Sequence, residues 1–298
     1  LMPFKGVNCA APKYRRTGEK HQVEAGDCLS CAAKRNNTCQ FTYELLSSIF
    51  SQVQDRGDRI STTTLTSKCL RSEYLKRKED YFEDPEKMYP AFKGTLLHGE
   101  LEQHVLTGSV EEARYWVELE PGRLLSGSPD LLDVDQGILY DYKTTKEAPR
   151  FGYPWQDHIA QLQVNRWLVD KAFKVEYRNQ EFDLSHPKNR ERFVPPVWNE
   201  LVVVYLDEKG PKPITITTTV DVPKVDGNGT KRSKVPDIWT NERVEEFINT
   251  KYEAAEQALV GGELPPIPEG MENWDHPLCG FCPKRRECIQ LYASEVVA

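Results

Sequence analysis

Apolar residues recur along this chain with two different periods, and each period predicts a different kind of element. Spacings of three and four residues, which are typical of a helix with one buried face, predict helices at 43–54, 65–82, 94–106 and 155–173. Strand-forming residues between Gly, Pro and Asp turns predict strands at 113–120, 124–135, 137–145, 199–208 and 212–222. Helices and strands alternate along the chain, so the pattern predicts an α/β fold.

Three stretches follow neither period. Residues 183–198 and 223–238 are rich in Pro, Lys, Arg, Asn and Gly, which predicts loops. The second includes the basic turn KVDGNGTKRSK. Two interpretations of this turn stay open: contact with a phosphate, or a solvated loop with no partner. Residues 1–42 are polar and carry cysteines, which predicts a small module that needs a metal to fold. The predicted domains are therefore 1–42 and 43–298.

Length and charge narrow the functional classes. The chain has 298 residues and a formal net charge of -7, and its longest aliphatic run is LVVVYL at 201–206. A membrane helix needs roughly 20 apolar residues, and the N-terminal residues lack a secretory apolar stretch, so we expect a cytoplasmic protein with no membrane partner. Proteins that coat nucleic acid are usually basic. Any contact with DNA must therefore be local.

Two aspartates and a lysine lie in neighbouring predicted strands. Asp130 follows a Gly-Ser-Pro turn, and Asp141 and Lys143 lie in the next strand. Residues two apart on a strand share a face, so Lys143 lies beside Asp141 while Tyr142 points away. Two converging carboxylates repel each other unless a divalent cation neutralises them. We therefore expect a cation there, with Lys143 holding a water whose pKa the cation lowers; an exposed Asp-Lys ion pair is the alternative for these residues alone.

Two polar residues extend this series onto the flanking helices. His98 precedes the strands and offers an imidazole ligand, and Gln161 follows them and could hydrogen-bond the lysine or a phosphate. Each alone is more often a surface or packing residue. Together with the strand residues they form an ordered series that is hard to obtain by chance.

Four segments resemble the motifs of the RecB-type nucleases of the PD-(D/E)XK superfamily: GTLLHGELE, GSPDLLDV, GILYDYKTT and HIAQLQVNRWLV. Within it, the chain is most similar to the iron–sulfur exonucleases typified by the CRISPR-associated family four and by the AddB nuclease domain. The resemblance implies a restriction-endonuclease-like core, with a central mixed sheet flanked by helices. It also implies catalytic roles for Asp130, Asp141, Lys143 and Gln161, and a Mg or Mn site formed by Asp130, Asp141, His98 and the carbonyl of Tyr142. Where the family has Tyr after the Gln, this chain has Asn165.

Four cysteines match a further feature of these nucleases, one early ligand and three late ones. They are Cys69, Cys279, Cys282 and Cys288. The resemblance implies a four-iron, four-sulfur cluster that joins the two ends of the nuclease. A zinc ion with the same ligands is the alternative.

The other four cysteines lie in the predicted N-terminal module, outside the resemblance. They are Cys9, Cys28, Cys31 and Cys39, and the C-x-x-C pair with two further thiols fits a tetrahedral zinc site. His21 as a replacement ligand, free thiols and a second iron–sulfur cluster are the alternatives. DNA contact and docking to a protein partner both stay open as roles for this module.

The sequence therefore predicts a metal-dependent deoxyribonuclease. Exonuclease action on single-stranded DNA or DNA ends is implied by the resemblance, in CRISPR adaptation, recombination and repair, or viral DNA processing. One rival is a catalytically weak DNA-binding or adaptor protein that keeps the fold and the cluster. Another is a redox or radical enzyme, which is disfavoured because four cysteine ligands would leave no iron open for chemistry.

Overall fold

The computed structural model describes residues 4–9, 21–34, 39–53, 59–104, 106–149, 154–217, 238–272 and 276–297. Its strands are β1 (Phe4–Asn8), β2 (Gln22–Glu24), β3 (Tyr81–Glu83), β4 (Ser109–Glu111), β5 (Arg114–Glu120), β6 (Arg123–Gly127), β7 (Leu131–Asp133), β8 (Ile138–Thr144), β9 (Lys174–Tyr177), β10 (Gln180–Asp183), β11 (Glu200–Asp207) and β12 (Gly210–Thr217). Its helices are α1 (Ala25–Ala32), α2 (Tyr43–Ser51), α3 (Thr62–Leu65), α4 (Leu70–Lys78), α5 (Pro85–Glu102), α6 (Gln156–Lys171), α7 (Pro187–Phe193), α8 (Asn241–Leu259), α9 (Pro277–Phe281) and α10 (Arg285–Val297).

The chain forms two compact units, each made from separated segments. The terminal unit contains residues 1–58, 68–95 and 256–298, and the central unit contains 59–67 and 96–255. All eight cysteines belong to the terminal unit. The predicted catalytic residues belong to the central unit. The division between the units does not coincide with the predicted boundary after residue 42. A separate functional module at 1–42 stays a prediction.

The terminal unit has a small sheet of order β2-β1-β3. β1 pairs with β2 in antiparallel fashion and with β3 in parallel fashion. The side chains around it form a buried apolar cluster, which we call the N-terminal core, made of Phe4, Val7, Phe41, Leu46, Ile49, Met88 and Phe92. Although residues 1–42 show little apolar periodicity, they supply the central strand of this sheet and part of this core.

The central unit contains a five-stranded mixed sheet of order β12-β11-β8-β7-β4. β8 and β11 are parallel, and the other neighbouring pairs are antiparallel. A second, antiparallel sheet has the order β10-β9-β5-β6. Helix α6 contacts both sheets, through β8 and β11 of the first and β5 and β6 of the second. The expected α/β fold with mixed sheets flanked by helices is therefore confirmed.

Helix α6 is buried over most of its circumference. The prediction placed this helix at 155–173, close to its observed bounds. Its apolar residues enter the core, and two of its buried polar residues make hydrogen bonds: Arg166 donates to Asp170 Oδ2 at 3.2 Å and to Asn241 Oδ1 at 2.8 Å, and Gln163 Oε1 accepts from the N–H of Trp239 at 3.0 Å. A helix covered on several sides gives the neighbouring strands a rigid support.

Other elements differ from the prediction in instructive ways. The single strand expected at 124–135 is divided into β6 and β7, because Pro129 between them has no N–H for a sheet hydrogen bond. The loop expected at 183–198 contains α7, which begins at Pro187, a favourable first residue for a helix. Most of the loop expected at 223–238 lies outside the described residues. No helix in the described ranges is both long and apolar enough to cross a membrane.

Candidate active site

Asp130 and Asp141 are placed by the pairing of two neighbouring strands. β7 and β8 are antiparallel with Leu131 opposite Tyr140, and continuing this register by one residue sets Asp130 beside Asp141. The backbone N–H of Tyr142 donates a 2.6 Å hydrogen bond to Asp130 Oδ2. Asp141 lies within β8 and is 1% exposed. The two carboxylates therefore share a largely water-free region of the central unit.

Lys143 lies beside Asp141 on the same face of β8. Its Nζ atom is 2.8 Å from each carboxylate oxygen of Asp141, and it donates a hydrogen bond to Oδ1. Burial disfavours the ammonium form, but Asp141 and Asp130 outweigh this cost and raise the pKa of Lys143. The lysine is therefore protonated at neutral pH. Oδ2 of Asp141 is buried without a well-directed hydrogen bond, which leaves one carboxylate oxygen available to a cation.

His98, near the end of α5, faces these strands with both ring nitrogens. Nε2 lies 3.1 Å from the carbonyl oxygen of Tyr142, and Nδ1 lies 3.6 Å from Asp130 Oδ1. In a neutral imidazole, Nε2–H can donate to this carbonyl while Nδ1 keeps a lone pair. This arrangement presents Nδ1 as the metal-ligating nitrogen.

Glu112 completes the group and was missed by the sequence reasoning. Its Oε1 atom lies 3.7 Å from His98 Nδ1. The residue follows β4 with a φ angle of 47°, in the left-handed region that residues other than glycine rarely adopt. Ser128 Oγ donates to the Glu112 carbonyl at 2.7 Å, and the Glu112 N–H donates to the carbonyl of Asp130 at 3.3 Å. Such strain, held by specific hydrogen bonds, is common at functional sites.

His98, Glu112 and Asp130 each offer one ligand atom, and these atoms lie within 4.8 Å of one another. Among the described residues this is the group of three or more His, Cys, Asp or Glu that is tight enough to hold an ion. Burial, followed by the charge of Asp141, raises the pKa of Asp130 to about 7. The Glu112 carboxylate raises the pKa of His98. The site thus binds protons unusually well, which is the behaviour expected of ligands gathered for a cation.

The comparison with protein families identifies the superfamily of the chain. Residues 101–289 match the family described as the PD-(D/E)XK nuclease superfamily. The chain belongs to this superfamily. Among curated proteins, no sequence matches the chain. A solved structure described as "Crystal structure of SSO0001" is similar with 16% sequence identity and a TM-score of 0.44, and the match covers 80% of this chain and 90% of that chain.

Nucleases of the PD-(D/E)XK superfamily typically use Mg or Mn, and the residues present here fit such an ion. The carboxylates and the imidazole are suitable donors for these hard or borderline cations. The unsatisfied Oδ2 of buried Asp141 is a further suitable donor. The carbonyl oxygen of Tyr142, which the sequence reasoning proposed as a ligand, lies close to His98 and keeps a second lone pair.

Gln161 lies on α6 and is partly buried, and the described hydrogen bonds do not connect it to Asp130, Asp141 or Lys143. Its catalytic role stays a prediction. Asn165, one turn later, is 1% exposed. Its side chain is therefore part of the core and is not accessible to DNA.

Asp157 is a second acidic residue that the sequence reasoning missed. It lies in the first turn of α6, and its charge helps to raise the pKa of Lys143. It was missed because an acidic residue in the first turn of a helix is ordinary capping chemistry. Its electrostatic influence on the lysine depends on where α6 docks against β8.

A cavity of about 350 Å³ adjoins the nuclease site. Its walls include the metal-ligating candidates His98, Glu112 and Asp130, the apolar side chain of Leu101, and Tyr140 and Tyr142 of β8. The two tyrosines point to the face of β8 opposite that of Asp141 and Lys143. The ligand group therefore has open space on one side and the lysine on the other.

The late cysteines gather in the terminal unit. Cys69 precedes α4, and Ser72 Oγ in that helix lies 3.3 Å from Cys282 Sγ. Burial, followed by opposition to the thiolate charge from Cys282, Cys288 and Cys279, raises the pKa of Cys69. The backbone thus brings together the four thiols that are distant in sequence. Lys284, between Cys282 and Cys288, is 2% exposed and donates to Glu79 Oε2 and to the carbonyl of Asp80, so its charge is satisfied within the terminal unit.

Proposed function

We propose that this protein is a metal-dependent deoxyribonuclease that hydrolyses phosphodiester bonds at DNA ends or in single-stranded DNA. The observation that carries the proposal is the convergence of Asp130, Asp141 and Lys143 with His98 and Glu112 in one site of the central unit. Membership of the PD-(D/E)XK superfamily supports nuclease chemistry.

The residues that would hold a divalent cation are Asp130, Asp141, His98 and Glu112, with the carbonyl of Tyr142 as a further ligand. Three carboxylates face one lysine, so the group is net acidic and repels a phosphodiester unless positive charge is added. A Mg or Mn ion held by these residues would supply that charge, polarise the scissile phosphate and lower the pKa of water at the site. Because the set includes an imidazole, we expect Mn to support activity at least as well as Mg.

Lys143 acts as a hydrogen-bond donor and a positive charge in this scheme. Its raised pKa keeps it protonated, so it orients the attacking water by donating a hydrogen bond and offsets the charge that develops on the phosphate oxygens. Its bond to Asp141 holds the side chain on the correct face of β8. The role of Gln161 rests on the sequence resemblance alone.

Three finer proposals rest on the sequence motifs. The RecB-like resemblance supports exonuclease action in CRISPR adaptation, recombination and repair, or viral DNA processing, in a cytoplasmic setting. The gathering of the four late cysteines supports a four-iron, four-sulfur cluster with a structural role. Zinc at the N-terminal cysteines lies outside the resemblance and is a separate proposal.

The test is cleavage of end-labelled linear single-stranded DNA and of internally labelled circular single-stranded DNA with Mg or Mn. We expect the linear DNA to be degraded and the circle to resist. Lys143→Ala should reduce the rate by about 10²–10³-fold through lost charge stabilisation, whereas Lys188→Ala, which removes an exposed lysine on α7, should stay near wild type. Cleavage of the circle would show that the protein acts as an endonuclease and not as an exonuclease. Binding of DNA without metal-dependent cleavage would favour the adaptor alternative.

A further inference from the structure

The four N-terminal cysteines lie on neighbouring elements of the terminal unit. Cys9 directly follows β1, and its N–H donates to the carbonyl of His21 at 2.7 Å, which extends the β1–β2 ladder. Helix α1 starts immediately after β2 and contacts β1. Cys28 and Cys31 are three residues apart on α1, so they lie on the same side of the helix.

Two of these cysteines also pack on the same apolar surface. Cys28 and Cys39 are partly buried against the N-terminal core, together with Leu29 and Ala32 of α1. Cys39 lies just before α2, whose N-cap is Thr42. The N-terminal core therefore fixes α1 and the segment entering α2 relative to β1.

Cys28 is also near the other three cysteines. Cys39, Cys9 and Cys31 all lie within range of an electrostatic interaction with its side chain. Thiolates that share one metal site are held together because the cation compensates their negative charges.

We propose that Cys9, Cys28, Cys31 and Cys39 bind one zinc ion through four thiolates. The ion joins the end of β1, helix α1 and the segment before α2, and so holds them on the N-terminal core. Protein ligands would occupy all four coordination positions of the ion. This is typical of structural zinc and leaves no open position for catalysis. The proposal concerns the terminal unit alone and does not depend on the nuclease chemistry.

The four sulfur atoms must approach one another to bind one zinc ion. Among the described residues, which include all eight cysteines, no three thiol sulfurs lie within 4.8 Å of one another. Ligand sulfurs around a tetrahedral zinc are about 3.8 Å apart, from a Zn–S distance of about 2.3 Å. Rotation of the Cys28 and Cys31 side chains can bring these two sulfurs together on a fixed backbone, because the Cβ atoms of residues three apart on a helix are about 5–6 Å apart.

The structure also shows which experiment is unsuitable. Deleting residues 1–42 would remove the central strand β1 and the core residues Phe4, Val7 and Phe41, so loss of metal would then report only loss of folding. Single substitutions in the full chain avoid this problem.

The experiment measures zinc, iron and sulfide per chain in the full protein and in Cys28→Ser, Cys31→Ser and His21→Ala. We expect each cysteine variant to lose about one zinc per chain with its iron and sulfide unchanged. His21→Ala should keep all of its zinc, because the ligands are thiolates. The loss of zinc in the Cys28 and Cys31 variants identifies the N-terminal site even if the late cysteines also bind zinc.

A second measurement covers the case in which the cysteine variants fail to fold. The wild-type chain is expressed with cobalt in place of zinc, and its spectrum should show the charge-transfer and d–d bands of a tetrahedral four-thiolate ion. Bands of a three-sulfur, one-nitrogen site would overturn the ligand set. The zinc assignment would be overturned if both cysteine variants kept their zinc, or if they lost iron instead of zinc.

Discussion

Replacing Asp130 by Asn should make the metal-free protein more stable while it removes nuclease activity. Asn keeps the size of the side chain and can still accept the hydrogen bond from the N–H of Tyr142. It removes a negative charge that is buried close to Asp141. A gain in stability from a substitution at the active site is expected where function requires like charges to be held together.

The magnitude follows from the pKa of Asp130, which rises from its ordinary value of 3.8 to about 7 in the folded chain. Because the folded pKa is raised, the wild type loses stability as the pH rises from about 4 to about 7, at no more than about 1.4 kcal/mol per pH unit. Below this window both states carry the proton, and above it neither does. The advantage of Asp130→Asn is therefore at most about 4 kcal/mol above pH 7 and declines towards zero near pH 4.

The assay is urea denaturation in EDTA at pH 8 and at pH 5.5 for the wild type, Asp130→Asn and the control Asp135→Asn. Asp135 is an exposed carboxylate in the turn between β7 and β8, and its replacement should change the free energy of unfolding by less than about 0.5 kcal/mol. Excess Mn should stabilise the wild type and not Asp130→Asn. A variant that is less stable than the wild type at pH 8, or equally shifted at both pH values, would refute the assignment of Asp130 as a buried, charge-repelled ligand.

Four other outcomes are expected. Glu112→Gln should raise the Mn concentration for half-maximal cleavage by about tenfold, as expected for loss of a ligand or its support; an unchanged Mn titration would exclude a metal-binding role. Lowering the pH from 8 to 6 should raise the same concentration in the wild type by about tenfold, because Asp130 must lose its proton to bind the ion. Cys282→Ser should lose iron and sulfide and lower the melting temperature, and retention of both would contradict a cluster at the late cysteines. Gly127→Ala should lower the free energy of unfolding in urea by about 1–3 kcal/mol, because the added methyl meets three buried side chains; Gly99→Ala, where the added methyl meets no atom within 4 Å, serves as control and should not destabilise.

Local patterns in the sequence determined much of the central unit. Alternation along 137–145 assigned Asp141 and Lys143 to one face of a strand, because the side-chain period of a strand is two residues whatever surrounds it. The long apolar pattern of 155–173 predicted α6 to within two residues at each end. The turn before Asp130 and the motif spacing also indicated the superfamily, since these features lie within short segments that can be recognised without tertiary contacts.

The tertiary structure decided which residues meet from distant parts of the chain. Glu112 reaches His98 only because its backbone is held in the left-handed region by hydrogen bonds to Ser128 and Asp130, and no periodic pattern encodes such a position. β1 is central in its sheet because it pairs with β3, more than 70 residues later. Pairing of this kind depends on packing between remote segments, so the polar composition of residues 1–42 could not reveal it. The apolar pattern predicted α6 but not which of its polar side chains would face the site. The docking of the helix on two sheets sets that orientation.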